Sequence, residues 1–306
     1  MSDLFLKRYP IPIAGLILAL LVLGDLLQSY APLIRLVLGS IAAVLYVLYL
    51  LKLAVLNTGL REPLADPVEA SILPTFTMAT MLLGGYVRPC WAGLGVGLWY
   101  AGLIGHALLI LWFSWNFLRG FSIKKVFPSW FVVYVGIAAA SVSAPVAGRL
   151  DIGQAVFWFA FAAFLCLLPF VCWRVWGVRQ IPDSAKPTLV IFAVPASLLL
   201  SGYMTSFEVK NPDMVYALLM ASLFFFLVGL FYLIWLTWKY PDFTPLNAAF
   251  TFPMAISAIA VKRVGPALGN ELEIHQLLVT LQTLLAALVI LWILFFFLLF
   301  LFVKSE

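Results

Sequence analysis

The stretch FTPLNAAFTFPMAISAIAVKR, residues 243 to 263, holds the residue types that could form a gate. Phe252 stands directly before Pro253, and Thr251 and Ser257 are close enough on the same helix to line a common bore. An aromatic ring beside a proline kink can block a narrow bore and clear it by rotating, without any charge. The alternative is an ordinary core phenylalanine, one of 26 in the chain.

Ionisable side chains are scarce in the apolar segments, which bears on proton coupling. His106 is the candidate nearest the middle of a segment, and Glu69 lies at the start of another. Proton-coupled carriers usually place carboxylates or histidines near the membrane midplane. A lone histidine is more often hydrogen-bonded to a neighbouring helix. Catalytic triads, paired carboxylates and metal-ligand clusters are not evident, so we expect no enzyme activity, no metal and no cofactor.

Basic residues recur once per repeat, at the ends of the shorter apolar segments. The group comprises Arg35, Arg88, Arg149, Lys210, Lys262 and Arg263. A ring of such charges, with Arg88, Arg149, Lys262 and Arg263 as its main members, would raise the anion concentration at an outer mouth. The alternative is that these side chains anchor the protein to lipid headgroups, with nearby acidic residues offsetting most of the charge.

Composition identifies the elements that must position these residues. Of 306 residues, 65% are hydrophobic and only 10% are charged, whereas soluble domains have roughly 45–50% apolar and about 25% charged residues. So much apolar surface requires lipid as its solvent. Lysines and arginines are scattered singly, so we expect membrane lipid and small anions as partners and no nucleic acid.

The apolar runs divide into ten segments that are each long enough to cross about 30 Å of hydrocarbon. Without two-residue alternation they indicate helices and exclude barrel strands. Together they leave no room for a separate soluble domain, so we expect a single transmembrane domain over residues 1–306. The segments cover approximately residues 10–28, 31–55, 67–87, 91–117, 128–148, 152–176, 187–207, 212–238, 244–264 and 273–303.

A repeat of one helical hairpin follows from the prolines that open the odd segments. Pro10, Pro67, Pro128, Pro187 and Pro245 are 57, 61, 59 and 58 residues apart. Proline is tolerated at a first helical position, because its missing N–H has no intrahelical partner there. The period predicts five hairpins, at approximately 10–55, 67–117, 128–176, 187–238 and 244–303.

The two classes of segment differ in chemistry. Odd segments are shorter and carry second prolines, Pro74, Pro195 and Pro253, together with small and hydroxyl side chains, whereas even segments are long and bulky. An interior proline frees a carbonyl that protein or water must satisfy. We therefore expect five kinked inner helices around a pore and five outer helices facing lipid. The alternative is that the small residues only allow tight helix packing.

Orientation follows from the basic residues in the loops. With the N-terminus inside, 12 of the 18 lysines and arginines lie on the inner side. The positive-inside rule then places both termini in the cytoplasm of a multi-pass protein of the cell membrane.

Three motifs resemble one family. FTFPMAISAIA is similar to the ninth helix of the tellurite-resistance and dicarboxylate transporter family, YPIPIAGLILAL to its first and DPVEASILPTFTMATMLLGG to its third. This family includes bacterial tellurite-resistance channels and plant guard-cell slow anion channels. The resemblance implies five hairpins in a quasi-five-fold ring, a homotrimer with one pore per subunit, and anion permeation gated by a phenylalanine, for which Phe252 is the matching position.

Three classes of function remain open on the sequence. The first is an anion channel that conducts small anions passively, with Phe252 as the gate. The second is a proton-coupled carrier or exporter of C4-dicarboxylates, sulfite or tellurite-type oxyanions, in which His106 and Glu69 would act. The third is a membrane scaffold without transport.

Overall fold

The computed structural model describes residues 5–6, 8–55, 64–268 and 273–302, and no strand occurs in these ranges. The all-helical prediction is therefore confirmed for the described part. Lys7, Arg61 and Lys304, which contribute to the count of inner basic residues, lie outside it.

Twelve α-helices are described. In chain order they are α1 (Ile13–Leu27), α2 (Pro32–Val55), α3 (Pro67–Ile72), α4 (Thr75–Val87), α5 (Ala92–Phe117), α6 (Trp130–Tyr134), α7 (Ala139–Val142), α8 (Leu150–Cys172), α9 (Val194–Ser206), α10 (Pro212–Lys239), α11 (Thr251–Leu268) and α12 (Glu273–Phe302). Within the described residues, eight helical stretches are long and apolar enough to cross a membrane, and α1 is a shorter apolar helix. Several apolar crossings make this a multi-pass membrane protein.

The odd segments are broken at their second prolines. Pro74 directly precedes α4, Pro195 lies in the first turn of α9 and Pro253 in the first turn of α11. The expected kinks inside continuous helices are therefore helix starts, because a proline costs little where its N–H would have no partner. The residues before these starts form α3 or 3-10 helices, Asp183–Ala193 and Pro245–Phe250.

Two details of the predicted segments are wrong. The fifth segment was expected as one helix over residues 128–148, but α6 and α7 alternate with the 3-10 helices Gly136–Ala138 and Ala144–Val146. A Cβ at Gly136 would lie 2.9 Å from the sulfur of Met78, so this irregular segment packs closely against its neighbour. Pro187 does not open the seventh segment but lies inside the 3-10 helix Asp183–Ala193.

Odd and even segments differ sharply in burial. The apolar windows of Pro67–Val87, Asp183–Ser206 and Pro245–Ala267 are 78%, 89% and 83% buried, whereas those of the long even helices are only 22–39% buried. The exposed surface of the even helices is rich in large apolar side chains, including Leu111, Phe231 and Leu288. In a membrane protein such surface faces acyl chains.

Helix contacts form a closed cycle. α1, α4, α7, α9 and α11 each contact the next of these helices in chain order, and α11 contacts α1. Each also packs against the even helix that follows it, α2, α5, α8, α10 and α12 respectively. The core of the molecule therefore lies among the odd segments.

Candidate functional site

A small axial cavity of about 30 Å³ lies among the odd segments, and Phe252 is part of its wall. All five odd segments contribute to the lining, which comprises Pro12, Gly15, Ile72, Thr75, Val132, Ile191, Val194, Leu246, Ala248, Ala249, Phe252 and Pro253. The volume is about that of one water molecule. The Phe252 side chain is 5% exposed. The cavity is thus narrow, nearly all apolar and bounded on one side by an aromatic ring.

The starts of four α-helices surround this cavity. Gly15, Thr75, Val194 and Pro253 lie in the first turns of α1, α4, α9 and α11, and all four line the cavity. The N-terminal end of an α-helix carries a partial positive charge from its aligned peptide dipoles. Here the first-turn amides already donate to carbonyls of the preceding residues, for example Gly15 to Pro12 and Val194 to Ile191, so the cavity wall is uncharged and holds no ring of free amide donors.

Hydroxyl groups at the helix breaks are bonded to backbone. Thr251 donates to the carbonyl of Ala248 at 2.6 Å, and Ser257 donates to that of Pro253 at 2.8 Å. Both side chains are fully buried, and neither is part of the cavity lining. The carbonyl of Ala248 also accepts from the backbone amide of Thr251, so the hydroxyl adds a second bond at the start of α11. These two residues support the break next to Phe252.

The remaining predicted prolines fall into two groups. Pro253 lines the cavity, whereas Pro74 and Pro195 only start the helices that reach it. Pro12 lines the cavity and was missed by the sequence analysis. The second proline of YPIPIAG was the sequence feature that could have indicated Pro12, but the predicted repeat used only Pro10.

A wide vestibule of about 1150 Å³ opens at the end of the molecule where the odd segments begin. Pro12 and Leu246 line both this vestibule and the axial cavity, so the two spaces adjoin. The vestibule is lined by five lysines and four carboxylates: Lys52, Lys124, Lys125, Lys186 and Lys239, with Asp66, Glu69, Asp183 and Asp242. Sequence reasoning treated these lysines only as orientation signals.

Several charged side chains of the vestibule bond to neighbouring groups. Asp66 accepts hydrogen bonds from the backbone amides of Val68 and Glu69, and so caps α3. Lys186 is ion-paired with Asp183. The Lys52 ammonium is 9% exposed and donates to the carbonyl of Tyr9, and no ion pair of this lysine occurs in the described residues. Glu69 lies near enough to Lys52 to interact with it electrostatically, and five lysines against four carboxylates leave the vestibule with a small excess of positive charge.

At the other ends of the odd segments, the predicted basic residues are held in different ways. Arg88 donates to the carbonyl of Pro145 at 2.8 Å, Lys262 to that of Leu26 at 2.7 Å, and Arg263 to the hydroxyl of Ser201 at 2.6 Å. These acceptors are neutral, so the positive charges are not cancelled by them. Among the described residues, Arg88, Lys262 and Arg263 thus have no carboxylate within ion-pair distance.

Arg149 differs, because it pairs with Asp151 at 2.6 Å. The hydrogen bonds that the Arg149 guanidinium donates to this carboxylate raise its pKa further above its ordinary value. The side chain stays charged at every accessible pH, but its field is largely offset by its partner.

His106 is fully buried and lies in the lining of neither cavity. Its Nε2 is 3.0 Å from the carbonyl of Val133 and its Nδ1 is 2.8 Å from the hydroxyl of Thr77. Because a carbonyl only accepts, Nε2 carries the proton. His106 thus connects α5 to the third and fifth segments, which is the structural role weighed in the sequence analysis.

A family model described as SLAC1, voltage-dependent anion channel, matches residues 8–301. No curated protein matches the chain. The family match covers the axial cavity, the vestibule and the basic residues at the opposite ends of the odd segments, and it agrees with the family resemblance of the three sequence motifs.

Proposed function

Because the chain belongs to the voltage-dependent anion channel family SLAC1, we propose that it conducts small anions passively along the axis of its odd segments. The observation that carries this proposal is an uncharged axial cavity to which all five odd segments contribute, next to a vestibule lined by five lysines. The vestibule lysines raise the local anion concentration, and the uncharged cavity holds no fixed ion pair that would trap an anion. Conduction requires this combination of entry and release.

The proposed architecture is a quasi-five-fold ring of five hairpins, with the odd segments inside and the even helices outside. Two observations support it: the closed cycle of contacts among α1, α4, α7, α9 and α11, and the contrast in burial between odd and even segments. Five helices in a closed ring leave an axial space, which corresponds to the position of the cavity.

Phe252 is proposed as the gate. Its ring borders a space that holds about one water, too little for an anion with its hydration shell. Rotation of the ring would widen this point, whereas the backbone of α11 stays anchored by Thr251 and Ser257. Kink prolines Pro74, Pro195 and Pro253 set the helix starts that surround the ring.

Replacement of Phe252 by alanine tests the gate. We expect Phe252→Ala to raise chloride conductance at least about tenfold, because removing a steric and dehydration barrier of 1.4 kcal/mol already changes a rate tenfold. Purified protein is recorded in planar bilayers under a chloride gradient. Phe231→Ala, at a lipid-facing position that is 63% exposed, is the control. An unchanged current in Phe252→Ala would remove this residue from the mechanism.

A proton-coupled carrier is the second candidate, and Glu69 in the vestibule wall favours it. Its substrates would be dicarboxylates or oxyanions, as the family resemblance implies. Flux measurements separate the two: a reversal potential that follows the anion gradient supports the channel, and saturable uptake that follows the pH gradient supports the carrier.

Three further properties accompany the proposal. We propose a homotrimer with one pore per subunit, location in the cell membrane, and both termini in the cytoplasm, so that the vestibule opens inward. The basic residues Arg88, Arg149, Lys262 and Arg263 would then concentrate anions at the outer mouth. Crosslinking and accessibility labelling of engineered cysteines test assembly and orientation.

A further inference from the structure

Asn247 occupies the junction between the vestibule and the axial cavity. It lines the vestibule, and its neighbours Leu246 and Ala248 line the axial cavity. At about 2.0 Å per residue in a 3-10 helix and about 1.5 Å in an α-helix, Asn247 lies roughly 9 Å before Phe252 along the chain axis. An anion that leaves the vestibule for the cavity must pass this residue.

The Asn247 side chain is mostly buried, and its amide has one protein partner. The side chain is 7% exposed. Its Oδ1 accepts a hydrogen bond from the hydroxyl of Thr244 at 2.9 Å, and its Nδ2 has no partner among the described residues. Nδ2 itself stays open to the vestibule, where it can donate to water or to an anion that accepts hydrogen bonds.

We propose that Asn247 Nδ2 is a specificity-determining donor that coordinates small monovalent anions, such as chloride and nitrate, as they lose hydration water. This inference rests on the proposed channel function. Thr244 orients the amide so that its NH₂ group faces the vestibule. A neutral donor replaces a water of hydration without trapping the anion, and the lysines of the vestibule supply the local anion concentration.

The site favours strongly hydrated anions over weakly hydrated ones. Chloride holds its water tightly and gains most from a protein donor at the point of dehydration, whereas thiocyanate loses its water readily. Without Nδ2, permeation is ranked by dehydration cost alone. Asn247 thus sets the ratio of chloride to thiocyanate permeability, a quantity that a purely structural residue does not control.

Bi-ionic reversal potentials of purified channels in planar bilayers test this. Asn247→Leu, similar in volume but without a donor, is expected to lower the chloride to thiocyanate permeability ratio about three- to tenfold, because the donor bonds to both anions and only the difference between the two hydrogen bonds is lost. Asn247→Asp is expected to reduce chloride conductance, because a carboxylate then faces the vestibule. Asn116→Leu is the control, since Asn116 is exposed and its amide donates to the carbonyl of Trp112 at 2.7 Å.

The outcomes separate the two proposals. A folded Asn247→Leu protein, monodisperse and with the wild-type permeability ratio, overturns the role of Asn247 while leaving the channel intact. If Asn247→Leu does not fold, Asn247→Ala decides the matter by the same ratio. Wild-type protein without current, and Phe252→Ala without current, would instead overturn the channel function itself.

Discussion

At the scale of single residues, the polar side chains in the core serve the backbone more than they serve a solute. Thr75 donates to the carbonyl of Ile72, Thr77 to that of Pro74 and Ser197 to that of Ala193, in each case within three or four residues. Each of these carbonyls lies near a helix break, and the carbonyl of Pro74 also accepts from the backbone amides of Thr77 and Met78, so there the hydroxyl adds a further bond. Asn247 is the contrasting case, because half of its amide remains unpaired at a cavity wall.

His106 allows a test that separates a structural role from proton relay. Replacement of His106 by leucine removes the donor to Val133 and should lower the free energy of unfolding by about 1–3 kcal/mol. His106→Gln keeps a donor and should lose less. Thermal unfolding in detergent measures both variants. The same proteins should keep reversal potentials that ignore a pH gradient, and loss of pH-driven flux at unchanged stability would contradict this account.

At the scale of elements, close packing of the third segment on α5 relies on glycine. A Cβ at Gly84 would lie 2.5 Å from the carbonyl oxygen of Gly95, and a Cβ at Gly95 would lie 2.7 Å from the Cα of Arg88. The opposing atoms belong to backbone, which cannot move aside as a flexible side chain can. Glycine at these two positions therefore sets the distance between an odd segment and its even partner.

Replacement of Gly95 by alanine should destabilise the hairpin. The overpacking is expected to cost about 1–3 kcal/mol of unfolding free energy. Gly97→Ala, on the same helix with no atom within 4 Å of the added carbon, is the matched control. It should be neutral or slightly stabilising, because alanine is the better helix former. Equal melting temperatures of the two variants in detergent would show that this packing is not tight.

At the scale of the whole molecule, charge is concentrated at the two ends and absent from the axial cavity. Lysines line the vestibule at one end, and Arg88, Lys262 and Arg263 donate to neutral acceptors at the other. Long-range fields from such ends raise the local anion concentration, and salt weakens them. The molecule can thus favour anions at both mouths while its narrowest point stays neutral.

Neutralising Arg88 and Arg149 together should lower chloride conductance about twofold at low salt, by weakening the field that attracts anions. The deficit should shrink at 1 M salt, where the Debye length is about 3 Å. Arg149→Gln alone should change little, because Asp151 already offsets this charge. Conductance is compared across salt concentrations for Arg88→Gln, Arg149→Gln and the double variant. Identical curves for all of them would leave lipid anchoring as the role of both residues.

Much of the fold was predictable from the sequence because lipid imposes strict rules. Length and apolarity require helices, and the proline period marks the starts of most odd segments. The continuous fifth helix was predicted wrongly, because local apolarity does not show that Gly136 packs against Met78 of another segment. The interior kinks became helix starts, since the preceding residues adopt 3-10 geometry in their tertiary setting.

In the candidate site too, some residues could be predicted from the sequence and others could not. The sequence alone predicted roles for Phe252 and for the arginines at the segment ends, because an aromatic beside proline and charges at segment ends are local features. Only the tertiary structure decided that Thr251 and Ser257 bond to backbone, that Pro12 lines the axial cavity and that Asn247 lines the vestibule next to it. In a uniformly apolar helix, the sequence shows no hydrophobic periodicity that would mark the inward face. The direction of each side chain therefore depends on the neighbours against which the helix packs.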